Sequence, residues 1–483
     1  MSASRLRRLA PRAAGPALAV LTLALASGAR AEDPAARPWD ERVLTEAIDY
    51  DALASDPSLS VEALSEKGRH LFEGRFIEAD GAGRPEATQA IVPTKRRRAA
   101  SHMFLRLSGL DANSCQSCHA MPVSGGAGDF TANVFVSEGF ESADFDTTDP
   151  QFSNERGTTH LMGAGLIELL AREMTADLRA QRHDVVTEAR KSGAAVTRKL
   201  ETKGVSFGEI TAEPDGRVDV SKLDGIDSDL TLRPFGQKGV FGSLRQFSVN
   251  ALNQHSGIQP VERFGAAWTG TNDFDGDAIA DELSVGQVSA LVAFQATLPA
   301  PGRKTDLPEV WSTAAARGET LFSDIGCATC HRPSLPLDSL IFQDPNPFET
   351  AGTLRPEDVA TPLKLDLATL DWVKALPKDD QGRTLVPLFG DLKRHRIADA
   401  ARETLGNELL SQRFVARDVF ITAELWGVGN TAPYGHRGDL TTLHDVIDAH
   451  GGEATEARKA YSALGEDDRQ SIIAFLRTLE IGK

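Results

Sequence analysis

The stretch "IGCATCHRPS" (Ile325–Ser334) repeats an earlier one, "NSCQSCHAMP" (Asn113–Pro122), and the two use every cysteine of the 483-residue chain. In each, two cysteines stand three positions apart and a histidine follows at once. A thioredoxin-like redox pair has no use for that histidine. A four-cysteine zinc site accepts the spacing but leaves both histidines idle. Covalent haem attachment uses all three residues, because the two thiols add to the haem vinyl groups and the adjacent histidine reaches the iron. Cys115, Cys118 and His119 therefore read as one c-type haem site, and Cys327, Cys330 and His331 as a second.

The first 31 residues predict export. A basic start (Arg5, Arg7, Arg8, Arg12) precedes an apolar run ending near Ala26, and Ala29-Arg30-Ala31 has the small-x-small form of a cleavage site. The run is short for a bilayer span, and no later stretch offers one. The expectation is a periplasmic protein without a membrane span once the signal peptide is removed. The net charge is −17 at pH 7, and losing the arginine-bearing leader makes it more negative. Such a surface repels nucleic acid and favours basic or weakly charged protein partners.

Working outward from the two motifs, a helical phrase precedes each. "VEALSEKGRHLFEGRF" (Val61–Phe76) and "PEVWSTAAARGETLFSDIG" (Pro308–Gly326) share Gly-x-x-Leu-Phe within apolar residues at helical spacing. Phe322 lies five residues before Cys327, whereas Phe72 lies forty-three before Cys115. The chain thus reads as an internal duplication whose first copy carries an insertion, including the basic loop "PTKRRRA" (Pro93–Ala99). The stretch Leu298–Glu309 is the expected linker. The tail "GEDDRQSIIAFLRTLEIGK" predicts an amphipathic helix that packs on the Pro308–Phe322 helix. With strand signals sparse, the expected fold is mainly α. It comprises two cytochrome c-like domains with one covalent haem each, over 32–300 (enlarged by insertions) and 301–483.

These twin motifs, the N-terminal insertion and "LWGVGNTAPYGHRGDLTTLHDVIDAHGGEA" (Leu425–Ala454) resemble the bacterial dihaem cytochrome c peroxidase superfamily, nearest to its dihaem oxidoreductase branch. The resemblance is weakest across the charged Arg172–Leu232 region. It implies a peroxidatic N-terminal haem and an electron-transferring C-terminal haem.

The sixth ligand of the C-terminal haem is constrained by composition. The five methionines are Met1, Met103, Met121, Met162 and Met174, so no residue of the second half can supply a thioether ligand. A helix over Thr441–His450, capped by Thr441 and stopped by Gly451-Gly452, puts Leu443, Val446, Ile447 and His450 on one face. The resemblance implies the same ligand, since His450 stands where the family places it, and with His331 it would give a low-potential bis-histidine haem. Tyr434 is the rival. His395 is expected to make a structural or propionate contact.

At the N-terminal haem, Leu244, Phe247, Ala251 and His255 fall on one predicted helical stripe. His255 occupies about the place of the family's catalytic carboxylate, which implies acid–base catalysis; axial ligation and a structural role stay open. Gln246 lies near the family's active-site glutamine but on the opposite side of that helix. His160 and Met162 are reserve ligands, and Arg156 is a candidate propionate partner. Separately, "NDFDGDAIADELS" (Asn272–Ser284) spaces Asp273, Asp275, Asp277 and Asp281 at loop positions one, three, five and nine of a calcium loop. Ala278 stands where such loops carry glycine, and Ser284 where they carry glutamate.

The expected function is reduction of hydrogen peroxide, with electrons from a small periplasmic donor, a cytochrome c or a cupredoxin. The alternatives are a non-enzymatic dihaem electron carrier and an oxygenase-type or oxidative modification of an organic or protein substrate.

Overall fold

Two helix crossings organise the computed structural model, which describes residues 39–56, 58–83, 86–87, 96–97, 113–128, 131–133, 155–350, 352–408 and 414–482. The expected leader and most of the basic loop at 93–99 lie outside the described residues. From Glu41 onward the described residues form one compact unit.

In the first crossing, the Val61–Glu73 helix packs on the Val285–Thr297 helix. Each starts at a serine cap: Ser60 accepts the Ala63 N–H, and Ser284 with Gln287 forms a capping box. In the second, the Glu309–Asp324 helix packs on the Glu466–Leu476 helix. The shared Gly-x-x-Leu-Phe explains both. A Cβ on Gly68 would lie 1.9 Å from the Ala290 carbonyl oxygen, and a Cβ on Gly318 would lie 1.9 Å from that of Ser471. Only glycine lets the backbones approach so closely. Four residues on, Phe72 tilts against Phe294 at 5.0 Å and Phe322 against Phe475 at 5.5 Å. The two phenylalanines stand at the same 6.3 Å from His119 and His331, with interplanar angles of 49° and 51°. One arrangement is built twice.

The expectation of a mainly helical fold needs correction, since the described chain is mixed. Short strands pair throughout, and the charged region after the Ala164–Ser192 helix forms a three-stranded antiparallel sheet of Val196–Thr202, Val205–Ala212 and Val218–Asp219. Its apolar alternation is hidden among charges: Leu200, Thr202, Val205, Phe207, Ile210 and Ala212 are buried, while Thr197, Lys199 and Glu201 face solvent. Lys203 and Gly204, at φ 48° and 77°, make the two-residue turn between the first two strands. Lys203 also pairs with Glu173 at 2.6 Å, fastening the sheet to the long helix.

Candidate functional site

Both Cys-x-x-Cys-His segments fold as a single tight turn, in which the histidine N–H donates to the first cysteine's carbonyl at 3.0 Å: His119 to Cys115 and His331 to Cys327. None of the four cysteines is in a disulfide. His119 of the first turn and Cys327, Cys330 and His331 of the second line one cavity of about 670 Å³, a size suited to burying large cofactors. His119, Met162, Phe235, Leu244 and Phe247 line one part of it; Cys327, Cys330, His331, Tyr434 and His450 line another.

The C-terminal part matches the chemistry of a bis-histidine haem. His331 Nδ1 donates to the Phe389 carbonyl at 3.2 Å, and His450 Nδ1 to the Val446 carbonyl at 2.6 Å. Such bonds fix the tautomer and leave Nε2 as the metal-binding nitrogen. Burial pushes the His331 imidazole down to about 4, and neighbouring His450 adds to the effect; burial also lowers His450. Two neutral imidazoles, each anchored through Nδ1, are a fitting donor set for one iron. The helix beneath His450 runs Leu443–Ala449, and its cap is Thr442, in a capping box with Asp445, rather than Thr441. Tyr434 instead donates its hydroxyl to the Val428 carbonyl at 3.0 Å.

His395 is clamped between carboxylates, Nε2 to Asp391 at 2.8 Å and Nδ1 to Glu453 at 2.7 Å. Burial opposes its charge, but the Asp391 hydrogen bond prevails and raises it to about 11. It lies 4.0 Å from Cys330 Sγ, and both of its ring nitrogens are engaged, so it holds the cavity wall.

On the N-terminal side, burial pushes His119 down to about 4, while the carbonyls of Thr159 and Gly126 favour its proton and His160 works against it. His160 lines the cavity, with Nε2 2.9 Å from the Trp426 carbonyl and Nδ1 buried without a partner. His255 is not among the described lining residues. The helix carrying the expected stripe runs as α only over Leu244–Ala251 and then widens into a π turn, Leu252–Ser256, stopped by Gly257 at φ 75°. The wider turn breaks the four-residue repeat. At ~1.5 Å per residue, His255 lies roughly 12 Å along the axis from Phe247. Gln246 accepts the Gly242 N–H and donates to Thr350, also outside the lining.

Arg156 belongs to a buried cluster that sequence reading missed. Glu408 pairs with Arg156 at 2.7 Å and Lys238 at 3.7 Å, and His436 Nε2 stands 3.2 Å from it. Lys238 is fully buried, donates to the carbonyls of Ala416, Arg417 and Val419, and sits 3.4 Å from the centre of the Phe420 ring. Burial and the cations Arg156, Lys238 and Arg437 push His436 down to about 2, so it is neutral in the cavity wall.

The acidic loop gathers three of the four expected carboxylates. Oxygens of Asp273, Asp275 and Asp277 lie within 4.8 Å of one another. Asp273 accepts the N–H groups of Gly276 and Ala278, and Asp277 that of Ile279. Asp275 is wholly buried and neither of its oxygens has a partner. Burial and the two neighbouring carboxylates push it up to about 8. Ala278 takes the left-handed conformation, φ 77°, that glycine serves at this position. Asp281 lies outside the cluster, itself left-handed at φ 50°. The buried carboxyl beside the three is Glu282, raised by burial and then by Asp275, with Oε2 accepting the Gln259 N–H at 2.6 Å.

Among the described residues, no helix is long and apolar enough to cross a membrane. No protein-family model and no curated protein matches the chain. Among solved structures, the chain is similar to hydrazine synthase of Kuenenia stuttgartiensis at 12% identity and a TM-score of 0.32, over 90% of this chain and 95% of that one. It is also similar to a MauG-like protein associated with microbial copper homeostasis at 17% identity and a TM-score of 0.26, over 56% and 78%. Neither superposition is close enough to carry fold or function across.

Proposed function

We propose that the chain is an exported dihaem c-type oxidoreductase that reduces hydrogen peroxide at its N-terminal haem, with electrons relayed through a bis-histidine C-terminal haem. The observation that carries the reading is one cavity lined by His119 together with the paired imidazoles of His331 and His450. Bound haem would supply the one-electron chemistry. Cys115, Cys118, Cys327 and Cys330 would hold the two groups as thioethers. His331 and His450 would present Nε2 to one iron, their Nδ1 protons secured by carbonyls, which favours a low potential. Two electrons and two protons convert hydrogen peroxide into two waters. The electrons would come from a small periplasmic cytochrome c or cupredoxin attracted by the acidic surface. The division of the chain at 300/301 and a calcium ion held by Asp273, Asp275 and Asp277 are parts of the same proposal. Asp275, buried with two unpartnered oxygens, is the support for the ion.

A second reading is an electron carrier with both irons six-coordinate. It draws support from His160 and Met162, which line the cavity on the His119 side. Electron paramagnetic resonance of the two-haem protein, before and after stoichiometric peroxide, separates the two. Peroxidase activity requires a high-spin signal that disappears with peroxide beside a low-spin signal that responds. Two low-spin signals indifferent to peroxide, in the oxidised and the half-reduced protein, would leave the carrier.

A further inference from the structure

We propose that the peptide segment Leu425–Trp426 couples the two histidine sites, so that a change in the hydrogen bond of His160 is read at the C-terminal haem. The inference rests on the dihaem reading above. His331 Nδ1 donates to the Phe389 carbonyl at 3.2 Å. The Leu425 N–H is shared between that carbonyl, at 3.4 Å, and the Leu388 carbonyl, at 3.1 Å. One residue on, the Trp426 carbonyl faces His160 Nε2 at 2.9 Å. His160 and His119 line the same cavity, and next to His160 the Leu161 N–H donates to the Gly125 carbonyl at 2.8 Å, while the Gly125 N–H donates to the His119 carbonyl at 2.9 Å. Three hydrogen bonds and the backbone of two residues therefore join His331 to the imidazole beside His119.

The segment has little freedom to absorb a change at either end. Trp426 is 1% exposed. Its ring abuts Gly163, where a Cβ would sit 2.5 Å away, at the N-cap of the Ala164–Ser192 helix. On its other side Gly427, at φ 96°, leaves room for His160: a Cβ there would lie 3.0 Å from Nε2. A bond from Nδ1 of a metal-bound imidazole tunes the ligand's basicity and with it the potential of the iron. The Phe389 carbonyl is that partner for His331, and it is also a member of the chain leading to His160. Coupling of this kind is reciprocal between sites. Trp426 is thus a positioning residue, acting through its carbonyl.

The test uses the intact protein with both haems, whose reduction potentials are measured separately by spectroelectrochemistry. His160→Phe removes the bond to the Trp426 carbonyl; burial pushes His160 down to about 4, so no charge is removed near neutral pH. The expected result is a change of at least about threefold in the redox equilibrium of the C-terminal haem, ~28 mV at ~59 mV per tenfold for one electron. His160→Gln, which keeps a donor, should recover more than half of that change. Gly427→Ala, which strains the backbone at φ 96° and sets a Cβ 3.0 Å from His160 Nε2, should move the same potential by another route, and His160→Gln serves if neither other variant folds. A C-terminal potential unmoved in the variants, with the N-terminal spectrum altered, would overturn the coupling. Wild-type protein without two covalent haems would instead refute the dihaem reading, and that outcome appears before any variant is made.

Discussion

Gly318→Ala tests the duplicated crossing most directly. The added Cβ would stand 1.9 Å from the Ser471 carbonyl oxygen and 2.4 Å from its carbon, both backbone atoms of the facing helix. To reach ordinary contact the helices must part by roughly 1.5 Å, and a gap of ~0.5–1 Å already forfeits a quarter to a half of the dispersion attraction across it. Phe322, Phe475 and Leu476, all buried at this seam, contribute ~2–3 kcal/mol each through burial, so roughly 2–4 kcal/mol is lost. Alanine's better helix propensity offsets about 1 kcal/mol. The expected net destabilisation is about 1–3 kcal/mol, in the range of overpacked cores. Urea unfolding of the haem-loaded protein measures it, with unchanged slope and a lowered midpoint as the expected outcome. Gly68→Ala should behave alike at its own crossing, while Gly302→Ala, with nothing within 4 Å of its Cβ, should be close to neutral. If Gly318→Ala unfolds at or above the wild-type midpoint, the close approach is not what requires glycine in either copy.

Three further predictions concern titration and the N-terminal side. Asp275 is raised in the fold to about 8, so without a bound cation its favourable contribution is complete below its ordinary value of 3.8 and is lost as pH rises to about 8. Chelated wild type should therefore lose thermal stability over that window, Asp275→Asn should lose less, and calcium should stabilise only the wild type; an equal calcium response in both would remove Asp275 from the site. His395 is raised to about 11, so its contribution is complete below its ordinary 6.5 and fades up to about 11; His395→Gln should flatten that alkaline decline, measured by denaturation at stepped pH. The Cys330 part of the shift disappears once the sulfur is a thioether, which leaves Asp391 as the partner that matters. His255→Ala should lower peroxide turnover by less than about tenfold, since His255 is not among the described residues that line the cavity. A loss of about a hundredfold or more, the worth of a general acid–base group, would establish the acid–base role expected from the sequence.

The parts of this structure legible in the sequence are those with a short covalent or periodic signature. Gly-x-x-Leu-Phe marked both crossing helices because a glycine at a contact and a phenylalanine one turn later are local facts. His450 could be placed because Leu443, Val446 and Ile447 gave its helix a face. What escaped depended on partners distant in the chain or on departures from regular geometry. The π turn at Leu252–Ser256 has no sequence mark of its own and moved His255 off the expected stripe. Asp281, at φ 50°, fell outside the acidic cluster, a backbone reversal that loop numbering does not anticipate. The Val196–Asp219 sheet was obscured because its solvent-facing positions are charged, and the Lys203-Gly204 turn was its clearest signal.

Lys238 has a consequence for how the molecule comes apart. Its ammonium is enclosed by three carbonyls from Ala416, Arg417 and Val419, far along the chain. Burial pushes this lysine down to about 7 against the pull of Glu408, so below about pH 7, where it stays protonated, pulling the two stretches apart in a dry interior would strand the charge, at a cost of several kcal/mol. Partial opening along this seam is therefore penalised, and heating should release both stretches together, in one cooperative transition rather than two.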